Sequence, residues 1–306
     1  SSVSDVEGLL DTPPINLPAL DIVVEQLELR GKKFGRVEIE ALNTDPPRAR
    51  AKAAAEWQLS KLNITLPEAQ LRSTGRWFKT AEGSAQRKTE MNFKLEVSDA
   101  GALLTRLGTP DALRGGSGQM EGLVSWQGSP LALHYPSLSG QFGITMGRGQ
   151  FLKADAGVAK LLGVLSLQAL PRRLLLDFRD VFYDGFAFDS VRGDVTITQG
   201  IAQTRNLQIK GVNALVQLDG SADIAQETQK LRAVILPSLD AGTASLVAGI
   251  AVNPVVGLTA FLAQLFLQKP LIQVNTQEFL IDGSWAEPRV TKVNSDAKAS
   301  PAGQAP

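Results

Sequence analysis

"MNFKLEV", residues 91–97, decides how this chain folds. Met91, Phe93, Leu95 and Val97 alternate with Asn92, Lys94 and Glu96, so an extended backbone sends every apolar side chain one way and every polar one the other. A helix would scatter the same residues around its axis. "LSGQFGITM" (138–146) repeats the pattern, with Leu138, Phe142, Ile144 and Met146 on one side, Gly140 among them, and Ser139, Gln141, Gly143 and Thr145 on the other.

Working outward, the same texture recurs in "DIVVEQLEL", "RVEIEAL", "EWQLSKLNITL", "AQLRSTGRW", "GQMEGLVSW", "RLLLDFRDV", "GDVTITQG", "IAQTRNLQIKG", "ALVQLDGSADI", "KLRAVIL" and "IQVNTQEFLIDGSW". Glycine-bearing turn signals punctuate the chain: "RGKKFGR", "RGGSG", "MGRGQ", "TQGI", "IKGVN" and "LDGS". Short strands joined by tight turns pair with their neighbours as an antiparallel meander, because parallel pairing needs long crossovers. The fold class expected is mainly β, with few helices. "DAGALLTRL" (99–107) is expected to form a short helix capped by Asp99. A longer one is expected over about 153–170, where Val158, Leu161, Leu162 and Leu165 share a face and Pro171 ends it. So many one-sided strands must close a barrel or sandwich around a filled core, or curl around an unfilled apolar interior. Periodicity alone leaves both open.

The uncharged run "AGTASLVAGIAVNPVVGLTAFLAQLFLQ" (241–268) is long enough for a membrane span, but Asn253-Pro254 breaks it at the middle. It is expected to form two helices, each of ~12–14 residues and each too short to cross ~30 Å of hydrocarbon. In the second, Val255, Leu258, Leu262, Leu265 and Phe266 make an apolar stripe with Phe261 beside it. This pair either plugs the sheet's interior or touches a bilayer as a gate or contact surface.

Composition removes several function classes. With 31 basic and 31 acidic residues the formal net charge is zero, so there is no basic excess to displace counterions from nucleic acid. Cysteine is absent, which excludes disulfides and thiolate chemistry, and the lone His134 cannot build a histidine metal site or a recognisable triad. Neither enzyme nor cofactor is expected. The aspartates 177, 180, 184 and 189 lack calcium-loop spacing and have arginines 172, 173, 179 and 192 beside them, so they are expected to form a charged solvent face. "GITMGRGQ" has no phosphate-loop Lys-Ser/Thr and is a hairpin turn. The start, "SSVSDVEGLLDTPPINLP", lacks the basic and apolar regions of a signal peptide and is expected to be a linker (1–17) cut from a longer polypeptide. "NSDAKASPAGQAP" is expected to be a disordered tail (293–306).

"GQFLKADAGVAKLLGVLSLQALPRRLLLDFRDVFYDGFAFDSVRGDVTITQGIAQTRNLQIKG", then "ILPSLDAG", "NPVVGLTAFLAQLFLQKPL" and "FLIDGSWAEPRV", resembles the C-terminal region of the YhdP family, AsmA-like envelope proteins of Gram-negative bacteria. The likeness covers roughly Leu138 to Val290. It implies a periplasmic fragment of a longer protein anchored by an N-terminal inner-membrane helix. The body implied is a bridge-like β-groove that moves phospholipid from the inner to the outer membrane. On that reading residues 18–150 and 151–292 are successive groove segments. The wall would be lined by Met91, Phe93, Leu95, Val97, Val124, Trp126, Phe142, Ile144, Met146, Val216 and Leu218. The partners implied are phospholipid and, at the helices of 241–268, an outer-membrane surface or an envelope protein. The competing expectation is a filled β-module that spaces or docks other envelope proteins.

Overall fold

The computed structural model describes residues 17–29, 31–44, 56–80, 86–152, 186–211, 214–237, 263 and 276–293. The chain lays down β1 (Leu20–Leu29), β2 (Lys32–Thr44), β3 (Glu56–Thr65), β4 (Ala69–Lys79), β5 (Arg87–Val97) and helix α1 (Ala100–Arg106). Then come β6 (Leu113–Gly115), β7 (Gly118–Gln127), β8 (Ser139–Met146), β9 (Gly149–Phe151), β10 (Phe186–Thr198) and β11 (Ile201–Gly211). Last are β12 (Ala214–Asp223), β13 (Thr228–Pro237), β14 (Gln277–Ser284) and β15 (Pro288–Lys292). The expected helices at about 153–170 and 241–268, the strand "RLLLDFRDV", aspartates 177, 180 and 184, and nearly all of the expected linker and tail lie outside the described residues.

All fifteen strands form one sheet, in the order β1-β2-β3-β4-β5-β7-β8-β10-β11-β12-β13-β14-β15, with β6 and β9 off this path. Every pairing is antiparallel. At ~4.8 Å per step, thirteen strands side by side extend for about 58 Å. The sheet is continuous across residue 150, because β8 pairs with β10, Phe142 opposite Val195 and Ile144 opposite Gly193.

Register keeps the apolar side chains on one side from strand to strand. Leu71, Leu95, Met120 and Ile144 form one row across β4, β5, β7 and β8. Where spacing in the sequence would break the row, a bulge restores it. Leu59 and Leu62 are three apart, and the register shift between them on β3 returns both to the apolar side. Paired irregularities on β10 and β11 are locked together by Asn206, whose Oδ1 accepts from the Asp194 backbone N–H at 2.9 Å and whose Nδ2 donates to Asp194 Oδ2 at 2.7 Å.

Glycines stand on that same side where a neighbouring backbone comes closest. A Cβ on Gly122 would lie 2.1 Å from the Gln141 carbonyl oxygen, and one on Gly140 would lie 2.1 Å from that of Leu123. Only glycine permits so close an approach. "LDGS" is therefore not a turn. Gly220 sits within β12 opposite Leu231, and the reversal comes later, at residues 224–227. By contrast "TQGI" does turn, with Gln199 and Gly200 both at positive φ.

The opposite side is charged in β2 to β5. Lys61 bridges Glu38 and Glu40; Arg76 and Lys88 flank Glu90; Lys94 and Arg72 flank Glu96. These exposed pairs contribute little energy each, but they mark the wetted face. In β12 and β13 both faces are buried: Val216, Ala233 and Ile235 on one, Leu215, Val234 and Leu236 on the other. The unbroken apolar run "AVIL" is the sequence sign of that double burial.

Helix α1 forms as expected, with the Asp99 carboxylate accepting from the Ala102 N–H at 3.0 Å. It is tied to the β3–β4 turn by Arg106, whose Nε and Nη2 donate to the two carboxylate oxygens of buried Glu68, and to the start of β2 by Lys32 Nζ donating to the Leu107 carbonyl at 2.6 Å. Hydrogen bonding from Arg106 holds the Glu68 carboxyl below its ordinary value, against the opposing effect of burial. A lowered folded value contributes stability at neutral pH that is lost as pH falls through it. Glu68→Gln is accordingly expected to destabilise the protein at pH 7 and to converge on wild type as pH falls below the ordinary glutamate range, in urea titrations at neutral and acid pH. An equal deficit at both values would sink the assignment.

Candidate functional site

All eleven wall positions stand on the apolar side of the sheet: four on β5, two on β7, three on β8 and two on β12. They divide into two environments. Met91, Phe93, Leu95, Val97, Val124, Phe142, Ile144 and Met146 are half-buried, as is Leu218. Trp126 is buried with Leu138 and Ile197 at one edge, and Val216 is wholly inaccessible. The stripe residues Val255, Leu258, Phe261, Leu262, Leu265 and Phe266 lie outside the described residues.

Val97, Met146 and Leu218 pack against the core of β10–β14, and the rest of the half-buried group occupies the middle of the sheet. Phe93 and Phe142 lie on either side of Gly122 in one cross-strand row, and their rings meet above it at 6.3 Å between centroids and 56°. The glycine puts no side chain between them, and the β8 backbone closes onto it, so that a Cβ there would lie 2.5 Å from that of Phe142. Leu62, Ile64, Leu71 and Met120 extend the half-open surface onto β3, β4 and β7. Alternation marked these strands in the sequence, but only register shows that the four adjoin Phe93 and Leu95. In β2, Ile39 belongs to the same surface.

Toward β10–β14 the apolar side is filled by the protein itself. Phe188 is 1% exposed, Val216 0% and Phe279 2%. They join Phe186, Leu113, Ile209, Ala233 and Ile281 in one cluster, onto which Leu104 of α1 and Phe151 of β9 pack. One sheet thus carries a half-open apolar tract over β3–β8 and a packed core over β10–β14.

The edge formed by the starts of β3, β5 and β8 gathers aromatic side chains. Trp57 and Trp77 are cross-strand partners, and Thr89 lies between Trp77 and Trp126. The indole N–H of Trp57 donates to the Pro18 carbonyl and that of Trp126 to the Ser129 carbonyl, each at 2.9 Å. His134 lies in the adjoining loop, its Nδ1 2.8 Å from Ser137 Oγ, in a structural role. Asp189 meets Arg148 at 3.5 Å, as a charged solvent face requires. Among the described residues no three His, Cys, Asp or Glu side chains come together to hold a metal ion, and no helix is long and apolar enough to cross a membrane.

A long one-sided antiparallel sheet with its apolar side partly open offers a continuous surface rather than a pocket with converging polar groups. The family model described as YhdP protein matches residues 2–290. The chain belongs to the YhdP family. It is 26% identical over 264 residues to the intermembrane phospholipid transporter YhdP of Escherichia coli (strain K12). The aligned stretch is 86% of this chain and 20% of that relative, so the chain spans about a fifth of the YhdP protein it matches. No solved structure matches.

Proposed function

We propose that this chain is a stretch of an intermembrane phospholipid conduit, in which acyl chains lie against the half-open apolar tract of β3–β8 and headgroups stay at its water-exposed edges. One observation carries the reading: Phe93, Leu95, Phe142 and Ile144 form adjoining cross-strand rows, yet each remains half-exposed where a folded core would cover it. Keeping each acyl methylene from water is worth ~0.8 kcal/mol, so a continuous apolar floor suffices to shield a tail without any catalytic group. The work is non-enzymatic on this reading. The parent protein would lie in the periplasm, anchored at the inner membrane, with this stretch toward the outer membrane. Residues 18–150 and 151–292 would be successive segments of the conduit, and the stripe of 255–266 a plug or a contact with the outer membrane.

A photoreactive phenylalanine analogue at position 93 or 142, in protein purified without detergent, is expected to crosslink to co-purifying phospholipid. The same group at Leu123, 39% exposed on the opposite side of β7, is expected to yield none. Equal labelling from both faces, or no lipid adduct from either, would overturn the assignment. The packed cluster of β10–β14 favours the rival reading, a filled interaction module of the envelope, for that part of the sheet.

A further inference from the structure

The half-open apolar surface does not run on evenly past β8. The packed cluster fills the half of β10–β14 nearest α1, taking Phe186, Phe188 and Val191 from β10. Ile197, farther along the same strand, belongs instead to a second cluster with Trp126 and Leu138. Around it pack Met91, Val124 and Phe142 of the floor, together with Val195, Ala202 and Ile224, all half-buried. Followed from Phe93 across Phe142, the open surface is therefore turned toward the rim where β7 and β8 are joined.

That junction, residues 128–138, stands out in two ways. Residues 122–147 contain no Asp, Glu, Lys or Arg, in a chain that is 20% charged. Within the loop, Leu131, Leu133 and Tyr135 are 36%, 45% and 49% exposed. A lone exposed leucine needs no explanation, but three large apolar side chains at alternate positions of one loop do. The loop's backbone is nonetheless fixed. The Ser129 carbonyl accepts from the Trp126 indole N–H at 2.9 Å, and its hydroxyl accepts from the Leu131 N–H at 3.2 Å. The Ser137 hydroxyl accepts from the Gln127 N–H at 2.9 Å, and the Leu138 carbonyl accepts from the Gly200 N–H at 2.8 Å. The three side chains are held out from an ordered frame.

We infer that loop 128–138 is a port of the apolar floor, docking on a phospholipid bilayer so that lipid passes between the two. This rests on the conduit reading above. The bilayer is chosen on continuity and charge. The Trp126–Leu138 cluster at the base of the loop packs against the floor itself, so a tail crossing this rim between residues 122 and 147 meets no charged side chain. Such a loop enters the boundary between headgroups and acyl chains without stripping water from an ion, while the Tyr135 hydroxyl stays among the headgroups. Already ordered, it loses little conformational entropy on contact.

The chain has no cysteine, so Leu133→Cys provides a single attachment point for the environment-sensitive dye nitrobenzoxadiazole. The whole chain so labelled is expected to give a blue-shifted, brighter emission when vesicles of phosphatidylcholine are added, with or without phosphatidylglycerol. The same dye at Leu42→Cys, 59% exposed on β2, is expected to show no change. Adding Leu131→Asp and Tyr135→Asp to the chain labelled at 133 is expected to weaken the partitioning that the dye reads about tenfold, the effect of losing the burial of one large apolar side chain. Thermal unfolding is expected to stay the same, because both positions already meet solvent. A dye at 133 that stays wet with both vesicles overturns the port. So does a shift that requires phosphatidylglycerol and disappears at high salt, which is surface electrostatics alone. Parental partitioning in the chain carrying both aspartates overturns it as well. The photoreactive group at position 93 separates port from conduit: lipid adducts there beside a wet dye at 133 remove the port alone, whereas a wet dye and no adduct remove both.

Discussion

Phe93→Asp is expected to reduce phospholipid binding about a hundredfold while leaving the protein folded. The ring is half-buried at the centre of the half-open tract, opposite Gly122 and 6.3 Å from Phe142. A carboxylate there keeps its hydration shell, because moving it into hydrocarbon costs far more than any tail contact returns. The water it holds displaces acyl methylenes from the floor. Losing contact with about four of them removes ~3 kcal/mol, which is two decades in affinity. The fold tolerates the change because the site already meets solvent. Ile144→Asp, one cross-strand row away, is expected to act alike, and Leu123→Asp on the wetted side is expected to do nothing. Lipid titration by tryptophan fluorescence, with far-ultraviolet circular dichroism to verify folding, reads all three. Wild-type affinity in Phe93→Asp would remove the acyl floor from where we place it.

The strands were legible because their signal is local. "MNFKLEV" states its own period, and "LSGQFGITM" does the same, so β5 and β8 appear where alternation puts them. Asp99 likewise announces α1 by chemistry within three residues of itself. What could not be read locally was set by neighbours. Leu59 and Leu62 break the two-residue period, and only pairing with β4 shows that a bulge carries both to one face. Gly220 imitates a turn signal, because a glycine required for a close backbone approach and one required for a reversal look the same in sequence. The alternation around Val216 resembles that around Phe93, yet one is inaccessible and the other half-open. The difference lies in what packs above them. For Val216 the cover comes from a cluster spanning α1, β6 and β10–β14, assembled across well over a hundred residues of chain.

The contrast between the two environments yields the other large effect. Phe188→Ala is expected to cost about 3–5 kcal/mol, the range for truncating a fully buried phenylalanine. Phe188 is 1% exposed, its ring lies 4.8 Å from that of Phe151, and a Cβ on Gly149 would come within 2.7 Å of it. That packing seats β9 on β10, and β9 in turn carries β6, against which α1 rests. Truncation therefore leaves a cavity and loosens three elements at once. Against a total stability of about 5–15 kcal/mol, such a loss brings the chain near unfolding. Phe93→Ala, of identical chemistry, removes a ring that is already partly wet, so its cost should be about 1–2 kcal/mol, the transfer cost of the area it still buries. Urea unfolding of the two variants compares them directly, provided the denaturant slope stays constant. Equal costs would mean that Phe93 is as tightly enclosed as Phe188, leaving no vacant apolar floor for a lipid tail.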